Sequence, residues 1–292
     1  MYNIIGYYEA ETVGEATALL ADKPNLELIA GGTDVLIKMH GKTEDTELLS
    51  LRKIKSLESI HKAEDGTIVI GAMATFTRVF NDPILREMIP ILTEAAISMG
   101  GPQIRNIATI GGNVCSGATS GDSASSLFAL NAQLKLVNHQ GERLVPIQEF
   151  YLGPGKVALK PGEILTEIRI SQKDYLGYGG QYIKFAMREA MDIATLGVAV
   201  VCKLQGKTFD EVRIGLGVAG PTPLRCLDAE VYALGKEISV ETVAEIGKLA
   251  VNSARARTSW RASKEYREHL VEELVQRALK VAIVNAGGAE LV

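Results

Sequence analysis

The chain has 292 residues, 47% of them hydrophobic and 23% charged, and a formal net charge of −4 at pH 7. This composition is ordinary for a globular protein, and the lack of a basic excess or stripe argues against a nucleic-acid-binding surface. No apolar stretch approaches the roughly 18 residues that span a bilayer, and the first residues lack the features of a signal peptide. We therefore expect a cytoplasmic protein with two or three subdomains.

Cysteine and histidine are sparse and scattered. The cysteines are Cys115, Cys202 and Cys226, without a Cys-x-x-Cys pair, and the four histidines include no His-x-x-x-His pair. Metal sites need clustered ligands. We expect no metal or iron–sulfur site built by this chain alone.

The first half of the chain mixes short helices and strands. Thr12 is a possible N-cap for a helix over residues 13–22, and Pro83 and Pro90 should interrupt the helical pattern over residues 76–99. A helix over residues 123–130 should be capped by Asp122 or Ser123. Strands are predicted at residues 26–29, 48–51 and 165–170, and a hairpin over 133–138 and 143–146. Residues 66–71 are predicted as a turn that leads into a buried strand.

A polar, glycine-rich stretch at residues 171–180 predicts a domain boundary. Three strand candidates follow at residues 181–187, 196–204 and 211–218. Three helical stretches come next, at 225–234, 240–253 and 263–286. Strands followed by helices indicate an α+β domain with helices packed on one face of a sheet.

The most informative segment is residues 109–122, TIGGNVCSGATSGD, with four glycines and no lysine or arginine. Glycines allow a close approach of the backbone to a ligand, and successive free N–H groups form a concave anion site. A similar loop, Ala30-Gly31-Gly32-Thr33-Asp34, follows an apolar run upstream. Both segments could be tight turns, but together they favour one extended nucleotide whose phosphates are held by main chain.

Other motifs are excluded or left open. Neither loop has the Gly-x-Gly-x-x-Gly of a dinucleotide-binding βαβ unit or the Gly-Lys-Ser/Thr ending of a P-loop, and Ser120 lacks the Gly-x-Ser-x-Gly spacing of a hydrolase nucleophile. Lys184, Arg188 and Asp192 would by themselves be read as an exposed charged strand edge. Trp260 could be an interface aromatic or an ordinary packed residue.

The two glycine loops, in this order and at this separation, resemble the FAD-binding medium subunit of the molybdenum hydroxylases, a family that includes xanthine, carbon monoxide and nicotinate dehydrogenases. The likeness continues through residues 101–106, 185–194 (FAMREAMDIA) and 258–269 (TSWRASKEYREH), so it covers nearly the whole chain. It is strongest to the flavin subunit of bacterial xanthine dehydrogenases.

The resemblance implies an α+β fold in two parts. Residues 1–175 would form a two-part FAD-binding domain of the vanillyl-alcohol-oxidase (PCMH) type, with subdomains of about 1–55 and 56–175. Residues 178–292 would form a C-terminal domain with a sheet and packed helices. The molybdopterin centre and the 2Fe-2S clusters would belong to partner chains, a large and a small subunit, assembled as a dimer of heterotrimers.

The resemblance also implies which residues bind non-covalent FAD. The loop from Ile29 to Val35 would wrap the diphosphate, Thr109 to Asn113 would face it, and Asp122 would accept a hydrogen bond from a hydroxyl of the adenosine portion. Leu165, Tyr182 and Lys184 fall where the family contacts the flavin ring, and a lysine there would stabilise the reduced, anionic flavin. Met99 replaces an aromatic contact of some relatives. The predicted binding residues are Ile29, Ala30, Gly31, Gly32, Thr33, Asp34, Val35, Thr109, Gly111, Gly112, Asn113, Asp122, Leu165, Tyr182 and Lys184.

The implied activity is that of an oxidoreductase subunit in purine metabolism, without catalytic residues of its own. Electrons would pass from the clusters of a partner chain to FAD and then to NAD⁺. Three alternatives stay open at this point. The first is the flavin subunit of a dehydrogenase that acts on nicotinate, another N-heterocycle or carbon monoxide. The second is a free-standing FAD oxidoreductase, and the third is a non-catalytic assembly module.

Overall fold

The computed structural model describes residues 2–41 and 44–291; the predicted domain limits at residues 1 and 292 lie outside these ranges. The first part is a parallel three-stranded sheet in the order β1-β3-β2. Its elements are β1 (Ile4–Glu9), α1 (Val13–Asp22), β2 (Glu27–Ile29), α2 (Val35–Met39) and β3 (Thr46–Ser50). Thr12 caps α1, as predicted, because its hydroxyl accepts a hydrogen bond from Glu15 N. Leu20 of α1 is buried in the same core as Leu49 of β3.

The second part is an antiparallel five-stranded sheet in the order β4-β5-β10-β6-β7, packed with helices. Its strands are β4 (Ile60–Lys62), β5 (Ile68–Gly71), β6 (Gln133–Asn138), β7 (Gly141–Pro146) and β10 (Ile164–Ile170), with a small ribbon of β8 (Tyr151–Gly153) and β9 (Lys156–Val157). Its helices are α3 (Phe76–Asn81), α4 (Pro83–Met88), α5 (Pro90–Ser98), α6 (Pro102–Arg105), α7 (Ile110–Cys115), α8 (Asp122–Ala129) and α9 (Ile147–Phe150). The predicted breaks are confirmed, since Pro83 and Pro90 each begin a helix.

Two local predictions in the glycine-rich segment are wrong. Residues 110–115 form the short helix α7 rather than a continuous loop, and Thr109 caps it by accepting a hydrogen bond from Gly112 N. Helix α8 begins after Gly121, and no side chain caps it. Asp122 is instead engaged in an ion pair and Ser123 in a hydrogen bond to Asn113.

The third part is an antiparallel four-stranded sheet followed by three helices, where the sequence predicts three strands and three helices. The elements are β11 (Gly179–Phe185), β12 (Leu196–Gln205), β13 (Thr208–Gly217), β14 (Leu224–Arg225), α10 (Leu227–Ala233), α11 (Val240–Val251) and α12 (Lys264–Asn285). Alternate residues of β12 face opposite ways: Val198 and Val200 belong to the core under the three helices, while Ala199 and Val201 join the core of the second part. The sheet is therefore covered on both faces, with α5 and α8 on the side away from α10–α12.

A buried polar network, the polar clasp, joins the second and third parts. Arg213 is 1% exposed, and its Nη1 lies 2.9 Å from Asp174 Oδ1. Asn131 donates to the same oxygen at 2.9 Å and accepts from Arg225 Nη1 at 2.6 Å. Arg225 also pairs with Glu230 at 2.6 Å. Each charge in the clasp therefore has an opposite charge beside it, as a buried guanidinium requires.

Within the described ranges, no helix is both long and apolar enough to cross a membrane. Over the same residues, no three side chains of His, Cys, Asp or Glu come together as metal ligands.

Candidate functional site

A cavity of about 590 Å³ lies where the loop after β2 faces α7 and the turn before β10. Its volume falls within the usual range of cofactor pockets. The predicted residues along its walls are Ala30, Gly31, Gly32, Thr33, Asp34, Val35, Thr109, Gly111, Gly112, Asn113 and Leu165. The other predicted residues, Ile29, Asp122, Tyr182 and Lys184, do not line it. The apolar part of the wall includes Leu26, Leu28, Met73, Met99 and Ile104.

The loop after β2 presents main-chain donors. In the part of the chain that the structure describes, none of the N–H groups of residues 30–35 donates a hydrogen bond. Gly32 has φ +75°, a conformation that glycine adopts without strain. Successive free N–H groups around such a residue form a concave anion site. This wall of the cavity is therefore suited to a phosphate group.

On the opposite wall, the main-chain N–H groups of residues 111–113 are already hydrogen-bonded, whereas the prediction was of free N–H groups. Gly111 N donates to Ala72 O at 2.9 Å, and Gly112 N donates to Thr109 Oγ1 at 3.1 Å. Asn113 N is also taken, by Thr109 O at 3.0 Å. These N–H groups are not free to bind an anion. The wall instead offers the Asn113 amide, the Thr109 hydroxyl and the bare glycine surface.

The glycines of the two loops are required for different reasons. A Cβ on Gly31 would lie 2.2 Å from Ile107 O, and one on Gly111 would lie 2.6 Å from Ala72 O. Both positions are therefore fixed by backbone packing. A Cβ on Gly112 would meet only the Thr109 hydroxyl, at 2.9 Å, and the Ala30 methyl carbon, at 4.0 Å. Gly112 is thus the glycine whose missing side chain keeps the space between the two loops open.

Three predicted residues form a buried polar cluster behind the cavity wall. Lys184 Nζ lies 3.0 Å from Asp122 Oδ1, with both side chains 9% exposed, and it donates to Ser98 O at 3.0 Å. The Tyr182 hydroxyl donates to the same Asp122 oxygen at 3.5 Å. Lys184 thus binds the carbonyl of Ser98, the residue that precedes the wall residue Met99 in the chain.

Burial governs the electrostatics of this cluster. It raises the pKa of Asp122, although the Lys184 charge opposes that shift, and it raises the pKa of Tyr182 well above its ordinary value. An exposed strand-edge charge is the wrong description of Lys184. Arg188 is exposed, at 67%, and lies 3.6 Å from Asp192, but it follows the end of β11 at Phe185 and is not on a strand.

Several wall residues have no signal in the sequence. The turn before β10 contributes Leu159, Pro161, Gly162 and Glu163, and α7 contributes Cys115. Burial raises the pKa of the Cys115 thiol to about 12, so the thiol is protonated at neutral pH. Glu163 is 5% exposed. Its position could be found only from the three-dimensional arrangement, because its partner Arg143 lies on the separate strand β7.

Glu163→Gln is expected to reduce stability at neutral pH. Arg143 binds the carboxylate through two hydrogen bonds, of 2.7 and 2.8 Å, and holds the pKa of Glu163 below its ordinary value of 4.5. This stabilisation is present above pH 4.5 and is lost as the pH falls through the lowered value. The difference in unfolding free energy between wild type and variant should therefore shrink on acidification. Urea titrations at several pH values measure it, with the exposed Glu142→Gln as control; a difference that does not change with pH would contradict this prediction.

Comparison with known proteins agrees with this geometry. Residues 3–172 match the family described as the FAD binding domain in molybdopterin dehydrogenase, and residues 181–282 match the CO dehydrogenase flavoprotein C-terminal domain. The chain is 42% identical over 289 residues to the putative xanthine dehydrogenase FAD-binding subunit XdhB of Escherichia coli, covering 99% of both chains. It is 33% identical over 278 residues to the carbon monoxide dehydrogenase medium chain of Hydrogenophaga pseudoflava, covering 94% of this chain and 96% of that one.

The solved structure of carbon monoxide dehydrogenase from Hydrogenophaga pseudoflava superposes with a TM-score of 0.92 at 32% identity, over 98% of this chain and 99% of that chain. The predicted α+β architecture of an FAD-binding domain followed by a flavoprotein C-terminal domain is thereby confirmed. From these matches, the chain belongs to the molybdenum hydroxylase family as its FAD-binding medium subunit.

Proposed function

We propose that FAD binds in the cavity with its diphosphate against the free N–H groups of residues 30–35. The donor set fits, because these groups form a continuous run of unpaired main-chain N–H groups along the described cavity wall. Thr109 and Asn113 would hold the cofactor from the other side through their side chains. Met99 and Leu165 would supply apolar contact for the flavin ring. Bound there, FAD supplies the exchange of electrons that this chain's own side chains cannot perform.

The buried polar cluster would support the flavin end of the site. Asp122 and Lys184 balance each other, so the pair acts on the cavity as a dipole rather than as a net positive charge. The effect of Lys184 on a flavin potential should accordingly be smaller than that of an isolated lysine. Asp122 would help to position the Lys184 ammonium group. Accepting a hydrogen bond from a ribose hydroxyl would not be its only role.

We further propose that the chain is the electron-transfer subunit of a purine-oxidising dehydrogenase. The full-length likeness to a xanthine dehydrogenase FAD-binding subunit supports this substrate class. In the proposed complex, a large subunit with molybdopterin oxidises the substrate and a small subunit carries 2Fe-2S clusters. Electrons pass from the clusters to FAD and then to NAD⁺. A dimer of such heterotrimers in the cytoplasm is the assembly that we infer.

Purification and anaerobic reduction test the proposal in two stages. The isolated chain should show a flavin absorbance spectrum or regain it with added FAD; a colourless chain that rejects FAD overturns the binding proposal. In the complex, xanthine should bleach the flavin, and NAD⁺ should restore its colour. A flavin that xanthine bleaches in the isolated chain would instead indicate a free-standing oxidoreductase. Flavin that stays oxidised in the complex would rule out the xanthine reaction.

A further inference from the structure

The turn between α5 and α6 borders the cavity at residues 98–101, and we call it the Met99 turn. Met99 lines the cavity, as does Ile104 of the following helix. A Cβ on Gly100 would lie 3.2 Å from the Cβ of Ile104, and Gly100 has φ +49°, a conformation that favours glycine. The Met99 turn is therefore packed closely on α6, and its conformation decides where Met99 and Ile104 meet the cavity.

Two positively charged side chains hold the carbonyl groups of the Met99 turn. Arg105 Nη1 donates to Met99 O at 2.9 Å and to Gly100 O at 3.0 Å. Lys184 Nζ donates to the preceding carbonyl, Ser98 O, at 3.0 Å. Hydrogen bonds from charged donors are about twice as strong as those between neutral groups. Across the described residues, the Met99 and Gly100 carbonyls are the hydrogen-bond partners of the Arg105 side chain, so its charge acts on this turn.

The same turn has main-chain donors without an acceptor. Within residues 2–41 and 44–291, the N–H groups of Gly100 and Gly101 donate no hydrogen bond. The C=O and N–H of a planar trans peptide point in opposite directions, so each carbonyl that Arg105 holds directs the next N–H away from the guanidinium. Gly101 is buried, and buried main-chain donors are nearly always paired. These N–H groups are therefore suited to an acceptor that the chain itself does not supply.

We propose that Arg105 is a positioning residue for the flavin ring and acts through the Met99 turn. This inference rests on the proposed function, which places FAD in the cavity. Arg105 does not line the cavity, so its effect must pass through the carbonyls that it holds. In this arrangement Met99 packs on the ring, and the Gly100 and Gly101 N–H groups are available to the acceptor atoms of the ring. Hydrogen bonds to those atoms tune the electronic properties of a flavin, and N–H donors stabilise the negative charge that reduction adds.

The experiment compares Arg105→Met with the wild-type chain, both loaded with FAD. The variant should bind FAD about tenfold more weakly by fluorescence titration. Its two-electron midpoint potential, measured against a reference dye, should be lower. With protein in excess, the anisotropy of its flavin fluorescence should fall, because the ring is held less firmly. Arg105→Lys keeps a charged donor and should restore most of all three values. Arg86→Met, at an exposed arginine on α4, is the control and should match wild type.

A double-mutant cycle with Met99→Ala tests whether Arg105 acts through the turn. In the Met99→Ala background, Arg105→Met should weaken FAD binding by a smaller factor than in wild type, because residues that act through one contact are not additive. Additive effects would overturn the inference, since Arg105 would then act independently of Met99. If Arg105→Met does not fold, Arg105→Gln, which keeps a neutral donor, is measured in the same way.

Two further results would overturn the inference. The variant could lose stability in urea while its flavin potential and anisotropy stay at the wild-type values, which would leave Arg105 a purely structural role. The potential could also fall without any change in anisotropy or FAD affinity, which would indicate a distant charge effect. Failure of the proposed function is recognised separately, because wild-type protein would then bind no FAD.

Discussion

Replacing Asp122 by alanine is expected to destabilise the FAD-free chain by about 3–5 kcal/mol, the usual cost of leaving a buried charge without its partner. The Lys184 ammonium group would keep only the Ser98 carbonyl as a polar partner among its described contacts. Urea unfolding of the FAD-free protein measures the loss without any contribution from cofactor binding. A double variant, Asp122→Leu with Lys184→Met, removes both charges and should recover most of the lost stability.

The exposed ion pair between Lys203 and Asp210 provides the control. Both side chains are 44% exposed, so Asp210→Ala should cost less than about 1 kcal/mol. If Asp122→Ala unfolds at the same urea concentration as wild type, Lys184 must be hydrated, and the buried polar cluster does not exist as described.

Gly112→Val is expected to give a folded chain that retains no FAD after gel filtration. The added side chain would occupy the space between the two glycine loops, where its first carbon meets only a movable hydroxyl. Loss of the cofactor would then be steric, with the fold preserved. The ratio of flavin to protein absorbance and the circular dichroism spectrum test the two parts of this prediction.

Substitutions at two further glycines provide controls for that result. Gly111→Ala should destabilise the fold itself, since the new methyl carbon would lie 2.6 Å from atoms of Ala72. A Cβ on Gly14, in α1, would meet only the Thr12 hydroxyl, at 4.0 Å, so Gly14→Ala should retain both fold and cofactor. Stoichiometric FAD in Gly112→Val would show that α7 does not contact the cofactor.

The sequence predicted those parts of the fold that depend on neighbouring residues. Thr12 and the two prolines act within one helical turn of their own positions, so their effects can be read locally. Strand β1 was missed because several of its apolar side chains face outward, with Ile5 62% and Tyr7 55% exposed. Helix α7 was missed because its two glycines are poor helix formers, and the Thr109 cap offsets that weakness.

In the candidate site, too, features that are continuous in the sequence could be predicted and contacts between distant residues could not. The two glycine loops could be identified because each motif is continuous in the sequence. The pairing of Asp122 with Lys184 could not be derived from pattern alone, since it depends on α8 packing against the face of a sheet formed by later strands. The contact of Arg143 with Glu163 likewise joins strand β7 to the turn before β10. Such pairs depend on how strands and helices distant in the sequence are arranged in space, and local sequence patterns do not give that arrangement.

The polar clasp has a consequence for how this protein can move. The stretch at residues 171–178 has the composition of a hinge, yet Asp174 in its middle is held by the buried Arg213, and the Tyr175 hydroxyl donates to Gly66 O at 2.6 Å. Movement of the third part away from the second would break the contact between Arg213 and Asp174 and expose both charged groups to solvent. The clasp therefore resists separation of the second and third parts. The cavity lies between the first and second parts, so a cofactor can enter and leave it without any separation at the clasp.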